Sequence, residues 1–104
     1  MSDEKSTVIQ FPTRGRSRVV ARVHELAANT FNINWTKHAL ERLDERGLTT
    51  RQVLSTLREG EAERDPIPDQ DGDWEIILIK RSAGKLVRVV AALSGCRLYV
   101  ITAT

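Results

Sequence analysis

The sequence predicts a single α+β domain: a helical hairpin packed on a three- to four-stranded antiparallel sheet, with one extra helix ahead of it. Three observations carry this prediction. Between residues 36 and 60, two short amphipathic segments are each bounded by a capping residue and a glycine. Three runs rich in β-branched residues follow, joined by connections so short that they suit antiparallel neighbours. A chain of 104 residues is enough for one core and too short for two.

Residues 1 to 17 mix Ser, Thr, Gly, Pro and charge without periodicity and read as a flexible arm, with Val8, Ile9 and Phe11 as a brief apolar patch. From 18 to 28, Val19, Val23 and Leu26 fall at i, i+4 and i+7, the spacing of a one-sided helix. His24 on this helix has no partner motif and reads as a surface or boundary histidine. In the next helix, Asn34 or Thr36 can cap the start, and Trp35, Ala39, Leu40 and Leu43 supply the buried side. Gly47 suits its left-handed end. Thr49-x-x-Gln52 then reads as a capping box, Val53, Leu54 and Leu57 give an apolar face, and Gly60 ends this third helix. The strands are expected at 74 to 79, 86 to 93 and 98 to 102. A weaker one from Glu61 to Asp65 is ended by Pro66-Ile67-Pro68. Residues 18 to 104 thus form one domain.

With 40% hydrophobic and 29% charged residues the composition is that of a folded globular chain, not a disordered one. No apolar run is long enough to cross a bilayer, and the start Met-Ser-Asp-Glu-Lys lacks the pattern of a signal peptide, so a cytoplasmic location is expected. Cys96 cannot form an internal disulfide and reads as a packed thiol in a strand rather than a zinc ligand or nucleophile. Neither a metal nor another cofactor is expected. The net charge of +2 conceals an asymmetry. Residues 61 to 75 hold seven acidic groups against Arg64, and residues 80 to 97 hold five basic groups and none acidic. Arg14, Arg16, Arg18 and Arg22 form another basic cluster. Such clusters attract phosphate backbones, though charge alone fits a solvated surface equally well.

His38, Arg42 and Arg46 recur every fourth residue and form one stripe. With Trp35 as zero on a helical wheel they fall at about 300°, 340° and 20°, bordering the apolar side. A histidine and two arginines at such a boundary can hold an anion. Glu41, Asp44 and Glu45 lie further towards solvent and can pair with Arg42 or Lys37, and spacing alone favours an ordinary charged helix face.

The residues themselves add information. Thr36-x-His38-Ala39-x-Glu41-Arg42-x-x-Glu45-Arg46-Gly47-Leu48-Thr49, with Val53 following, resembles the signature of the bacterial domain-of-unknown-function family 4258, His-Ala-x-x-Arg-x-x-x-Arg-Gly-Ile/Leu before a strand meander. The resemblance covers about seventy residues, 35 to 104, and leaves out the first helix. It implies a RelE-like architecture, distantly similar to the RelE, BrnT and MqsR type toxins that cleave messenger RNA and are neutralised by antitoxins.

A nuclease of that kind would direct a ribose 2′-oxygen at the neighbouring phosphate without a metal. His38 is then the proton carrier, with Arg42 and Arg46 as the phosphate clamp. Lys80, Arg81 and Arg88 are candidates for an RNA backbone track, and Tyr99 or Trp74 for base stacking, although strand alternation makes Trp74 a core residue first. The expected partners are RNA and an antitoxin protein. The competing readings are a non-catalytic protein-interaction module and a small nucleic-acid-binding regulator, and the latter does not need His38.

Overall fold

The computed structural model describes residues 18–104. The arm expected at 1 to 17, its apolar patch, and Arg14 and Arg16 lie outside the described residues. Residues 18–27 form a helix, α1. A 3₁₀ turn, Thr30–Asn32, leads into strand β1 (Ile33–Trp35), helix α2 (Lys37–Arg46) and helix α3 (Thr50–Glu59). Two short strands, β2 (Glu61–Ala62) and β3 (Ile67–Pro68), precede the meander of β4 (Trp74–Ser82), β5 (Lys85–Ser94) and β6 (Arg97–Ala103).

Local chemistry sets the helix ends. The Thr36 hydroxyl accepts from Ala39 N and donates to Val100 O, so one side chain starts α2 and ties it to β6. Gly47, at φ 68°, closes α2 in the left-handed conformation. The expected capping box is present: Gln52 N donates to the Thr49 hydroxyl, and Thr49 N donates to the Gln52 side chain.

The α+β class is as predicted, but the sheet is larger and mixed. Its order is β1-β6-β5-β4-β2, and β3 also pairs with β4. β1 runs parallel to β6, with Ile33 opposite Leu98 and Trp35 opposite Val100. Three residues with a central asparagine carry no readable period, which is why β1 escapes sequence analysis. Trp35, expected on the buried side of α2, is therefore a half-buried strand residue packed against the core. Leu40, expected to be buried, is 47% exposed, because α2 turns Ala39 and Leu43 inward. Ile67 and Pro68, expected to end a strand, themselves pair with Glu75 and Trp74. A proline is tolerated there because β3 lies at the sheet edge.

β4 and β5 pair over their whole length and turn through Ala83 and Gly84, both at positive φ, a two-residue hairpin. β5 and β6 turn through Gly95 and Cys96, since Ser94 pairs with Arg97. Cys96 is thus an exposed turn residue 3.9 Å from an Arg22 guanidinium nitrogen, not the packed strand thiol expected. Between Val90 and Ala91 the register to β6 slips by a residue. The bulge lets Val100 and Ala103 both face inward, although two residues separate them.

One face of the sheet is covered. Ile76, Leu78, Val87, Val89, Ala91, Leu98 and Val100 pack with Val23 and Ala27 of α1, Ala39 and Leu43 of α2, and Val53 and Leu57 of α3. Full burial of an aliphatic side chain contributes about 1.5–3 kcal/mol, so this layer holds the fold together. On the other face Ile77, Ile79, Val90 and Ala92 are half-buried, and Arg81, Leu86, Arg88 and Tyr99 are exposed. α1, the extra helix, belongs to this core: Arg58 Nε donates to Ala27 O at 2.7 Å, and His24 Nε2 lies 2.9 Å from Gly60 O. His24 is a boundary residue, as expected. Among the described residues no helix is long and apolar enough to cross a membrane.

Candidate functional site

His38 is the second residue of α2 and is exposed. Its position follows from Thr36, which fixes the first turn of the helix to Val100 O. One turn on, Arg42 lies across it, and Arg42 Nε donates to His38 Nε2 at 3.3 Å. As an acceptor, Nε2 is unprotonated and the ring proton resides on Nδ1. The Arg42 guanidinium, its side chain 37% exposed, also reaches Glu45 Oε1 at 3.3 Å. His38, Arg42 and Glu45 therefore form one chain of contacts along the helix. Arg46 lies a turn further on, exposed, in the last turn, where a cation suits the carbonyl end of the helix.

Chemically, this is an imidazole whose Nε2 faces a guanidinium, with the Glu45 carboxylate on the other side of that guanidinium.

The seven residues singled out from the sequence do not converge. Lys80 points to the helical layer, where Nζ meets Ser55 Oγ at 2.5 Å and Glu59 Oε1 at 2.6 Å. Arg88 alternates with buried Val87 and Val89 and so faces the open side. Glu63 holds it there through Nε at 2.7 Å and a terminal nitrogen at 2.8 Å. Tyr99, 38% exposed, lies opposite Ala92 on the same open side. Arg88 lies four positions before Ala92 on β5, about 13 Å along the strand. Arg81, exposed, lies opposite Leu86 near the β4–β5 turn. Trp74 packs half-buried against the core, as strand alternation predicted.

The residues missed in the sequence are the acidic partners. Glu59 is held below its ordinary 4.5 first by the hydrogen bond from Lys80 and then by that ammonium's charge. Glu63 is lowered in the same way by Arg88, whose own value is raised in return. Arg64 approaches Glu75 at 4.0 Å. The signal was present in the acidic run followed by the basic run, since β2 and β5 flank β4 and bring the two runs together. Among the described residues no group of three or more His, Cys, Asp or Glu is placed to hold a metal ion.

No curated protein matches the chain. The family model matches residues 35–104, from Trp35 through α2, α3 and the meander, and the chain belongs to the family described as domain of unknown function DUF4258.

Proposed function

We propose that the protein is a toxin-like RNA-binding protein, a metal-independent messenger-RNA endoribonuclease of a bacterial toxin and antitoxin pair. The observation that carries this reading is the contact between Arg42 Nε and His38 Nε2 on an exposed helix face. It supplies an unprotonated imidazole nitrogen and a guanidinium within one phosphate's reach of each other. In the reaction, His38 Nε2 accepts the proton of a ribose 2′-hydroxyl, and the 2′-oxygen bonds to the adjacent phosphorus. The 5′-oxygen leaves with a proton from water, which yields a cyclic phosphate and a 5′-hydroxyl end. Arg42, released from His38, and Arg46 neutralise the oxygens on which charge accumulates. An antitoxin segment of acidic or hydrophobic character is the proposed partner, covering the open face of the sheet with its Ile77, Ile79, Leu86 and Tyr99.

A second reading has its own support. Glu45 engages Arg42, Glu59 engages Lys80 and Glu63 engages Arg88, so much of the expected cationic site is internally neutralised. That pattern favours a non-catalytic interaction module, whereas a small nucleic-acid-binding regulator would need the same basic residues free. Induced expression in a bacterial host separates the readings. The wild type should arrest growth and fragment messenger RNA, and His38→Ala and Arg42→Ala should not. Intact transcripts and normal growth with the wild type exclude the nuclease, and RNA affinity without cleavage identifies the regulator.

A further inference from the structure

We propose that the α2–α3 turn and the β4–β5 turn together form a phosphate-binding tip that holds the RNA backbone through Arg46, Arg51, Arg81 and Lys85. This rests on the RNA-binding part of the function proposed above and replaces the track expected on Lys80 and Arg88.

The two turns are brought together in the fold. A Cβ built on Gly47 would meet one atom within 4 Å, Lys85 Nζ at 4.0 Å, so the ammonium rests against the turn that ends α2. The carbonyl end of α2 favours a cation at that place, and Arg46 immediately precedes Gly47 in the chain. Arg51 lies in the first turn of α3, immediately beyond the same turn. Arg81 pairs with Leu86 one step inside the hairpin that Ser82 and Lys85 close. All four cations are exposed.

The four cations of the tip are not neutralised. Arg22, Arg42, Arg64, Lys80 and Arg88 each have a carboxylate within ion-pair distance. Among the described residues, Arg46, Arg51, Arg81 and Lys85 have none. Of the acids nearest in sequence, Glu45 is held by Arg42, and Asp44 projects about 160° round the helix from Arg46. Arg18, Lys37, Arg58 and Arg97, one each on α1, α2, α3 and β6, also lack an ion pair among the described residues, so four of the eight unpaired cations stand at these two turns.

The chemistry of the tip fits a nucleic-acid backbone. Guanidinium forks match phosphate oxygens in pairs, and lysine adds a point charge. Leu86, 49% exposed beside Arg81, supplies an apolar surface for a base. A groove of about 380 Å³ runs along α3 from Arg51 past Leu54, Ser55 and Arg58 to Glu59, whose carboxylate is held by Lys80.

The test is binding of a fluorescein-labelled single-stranded RNA of about twenty nucleotides, followed by anisotropy across a salt series. The variants are Arg51→Gln/Lys85→Gln at the tip and Arg22→Gln/Arg64→Gln as a control with the same loss of charge. The tip variant should bind at least about tenfold more weakly at low salt, and the slope of log affinity against log salt should fall by about two, one for each lost phosphate contact. The control should stay within about twofold of the wild type, and circular dichroism should show all variants folded. Equal losses in the two variants overturn the tip while leaving RNA binding in place. No binding by the wild type at low salt overturns both the tip and the RNA reading. Charge reversal, Arg51→Glu, gives an independent check, and unchanged affinity there also overturns the tip.

Discussion

Glu63 clamps Arg88 across the open face of the sheet, one carboxylate oxygen 2.7 Å from Nε and the other 2.8 Å from a terminal nitrogen. Glu63 directly follows β2 and Arg88 lies on β5, so the pair reaches across β4. The Arg88 hydrogen bond is the first cause of the low value of Glu63, and Lys80 acts likewise on Glu59. A carboxylate whose folded value is depressed adds stability above its unfolded value, and that stability is lost as pH falls through the folded value. The ordinary value is 4.5, so the decline should begin near that pH and extend below it. Glu63→Gln should have a lower Tm than the wild type at neutral pH, and the gap should narrow on acidification. Thermal unfolding followed by circular dichroism checks this, and a gap that stays constant with pH would show that the pair contributes nothing through protonation.

Gly60 tests a different kind of constraint. Its backbone is ordinary, φ −71° and ψ 163°, yet a Cβ there would lie 2.5 Å from Thr56 O and 2.9 Å from Ile79 O. Both obstacles are backbone atoms at the junction of α3 and β4, so they cannot yield as a side chain would. Gly60→Ala should cost about 1–3 kcal/mol, the range for forcing atoms into a packed site. Gly72, at φ 86° with open space where a Cβ would project, should lose about 1 kcal/mol on substitution by alanine, from backbone conformation alone. Urea midpoints rank the two, and the opposite order would refute the steric account.

The link between α1 and the family core is also testable. Arg58 donates to Ala27 O, the carbonyl end of α1, where the last carbonyls of a helix lack partners of their own. Arg58→Ala should speed amide hydrogen exchange over residues 18–27 and leave β4 and β5 protected. Equal acceleration throughout would mean that α1 opens only with the whole fold.

These relationships divide according to how far they lie from local sequence. Thr36, Gly47, Thr49 with Gln52, and Gly60 were readable because caps act over three or four residues. The hairpin turns were readable for the same reason. The three long strands announced themselves through β-branched runs. β1 was not readable, since three residues gain their strand character from β6, which follows some sixty positions later. Cys96 was read as a packed strand thiol although it falls in the connection between the strands expected at 86 to 93 and 98 to 102, and the Ser94 to Arg97 register confirms the turn. Within the candidate site, the stripe His38, Arg42 and Arg46 was legible from period alone. Its internal wiring was not, because whether Arg42 turns to His38, to Glu45 or to both depends on rotamers. The neutralised cations were invisible for a topological reason: Glu63 meets Arg88 only once β4 lies between them.

That internal wiring supports a last prediction. With Arg42 Nε donating to His38 Nε2, the neutral ring must carry its proton on Nδ1, whereas free imidazole side chains in water favour Nε2–H. Long-range nitrogen–proton NMR spectra at mildly alkaline pH should therefore show His38 Nε2 as the unprotonated nitrogen. Arg42→Ala should return the ring to the Nε2–H form, while Glu45→Gln, which leaves the Arg42 to His38 contact in place, should not. Because His38 is exposed, His38→Ala should change stability by no more than about 0.5 kcal/mol. A loss of RNA cleavage in that variant would then report chemistry at the imidazole and not unfolding. An Nε2–H ring in the wild type would remove the lone pair on which the proposed base depends.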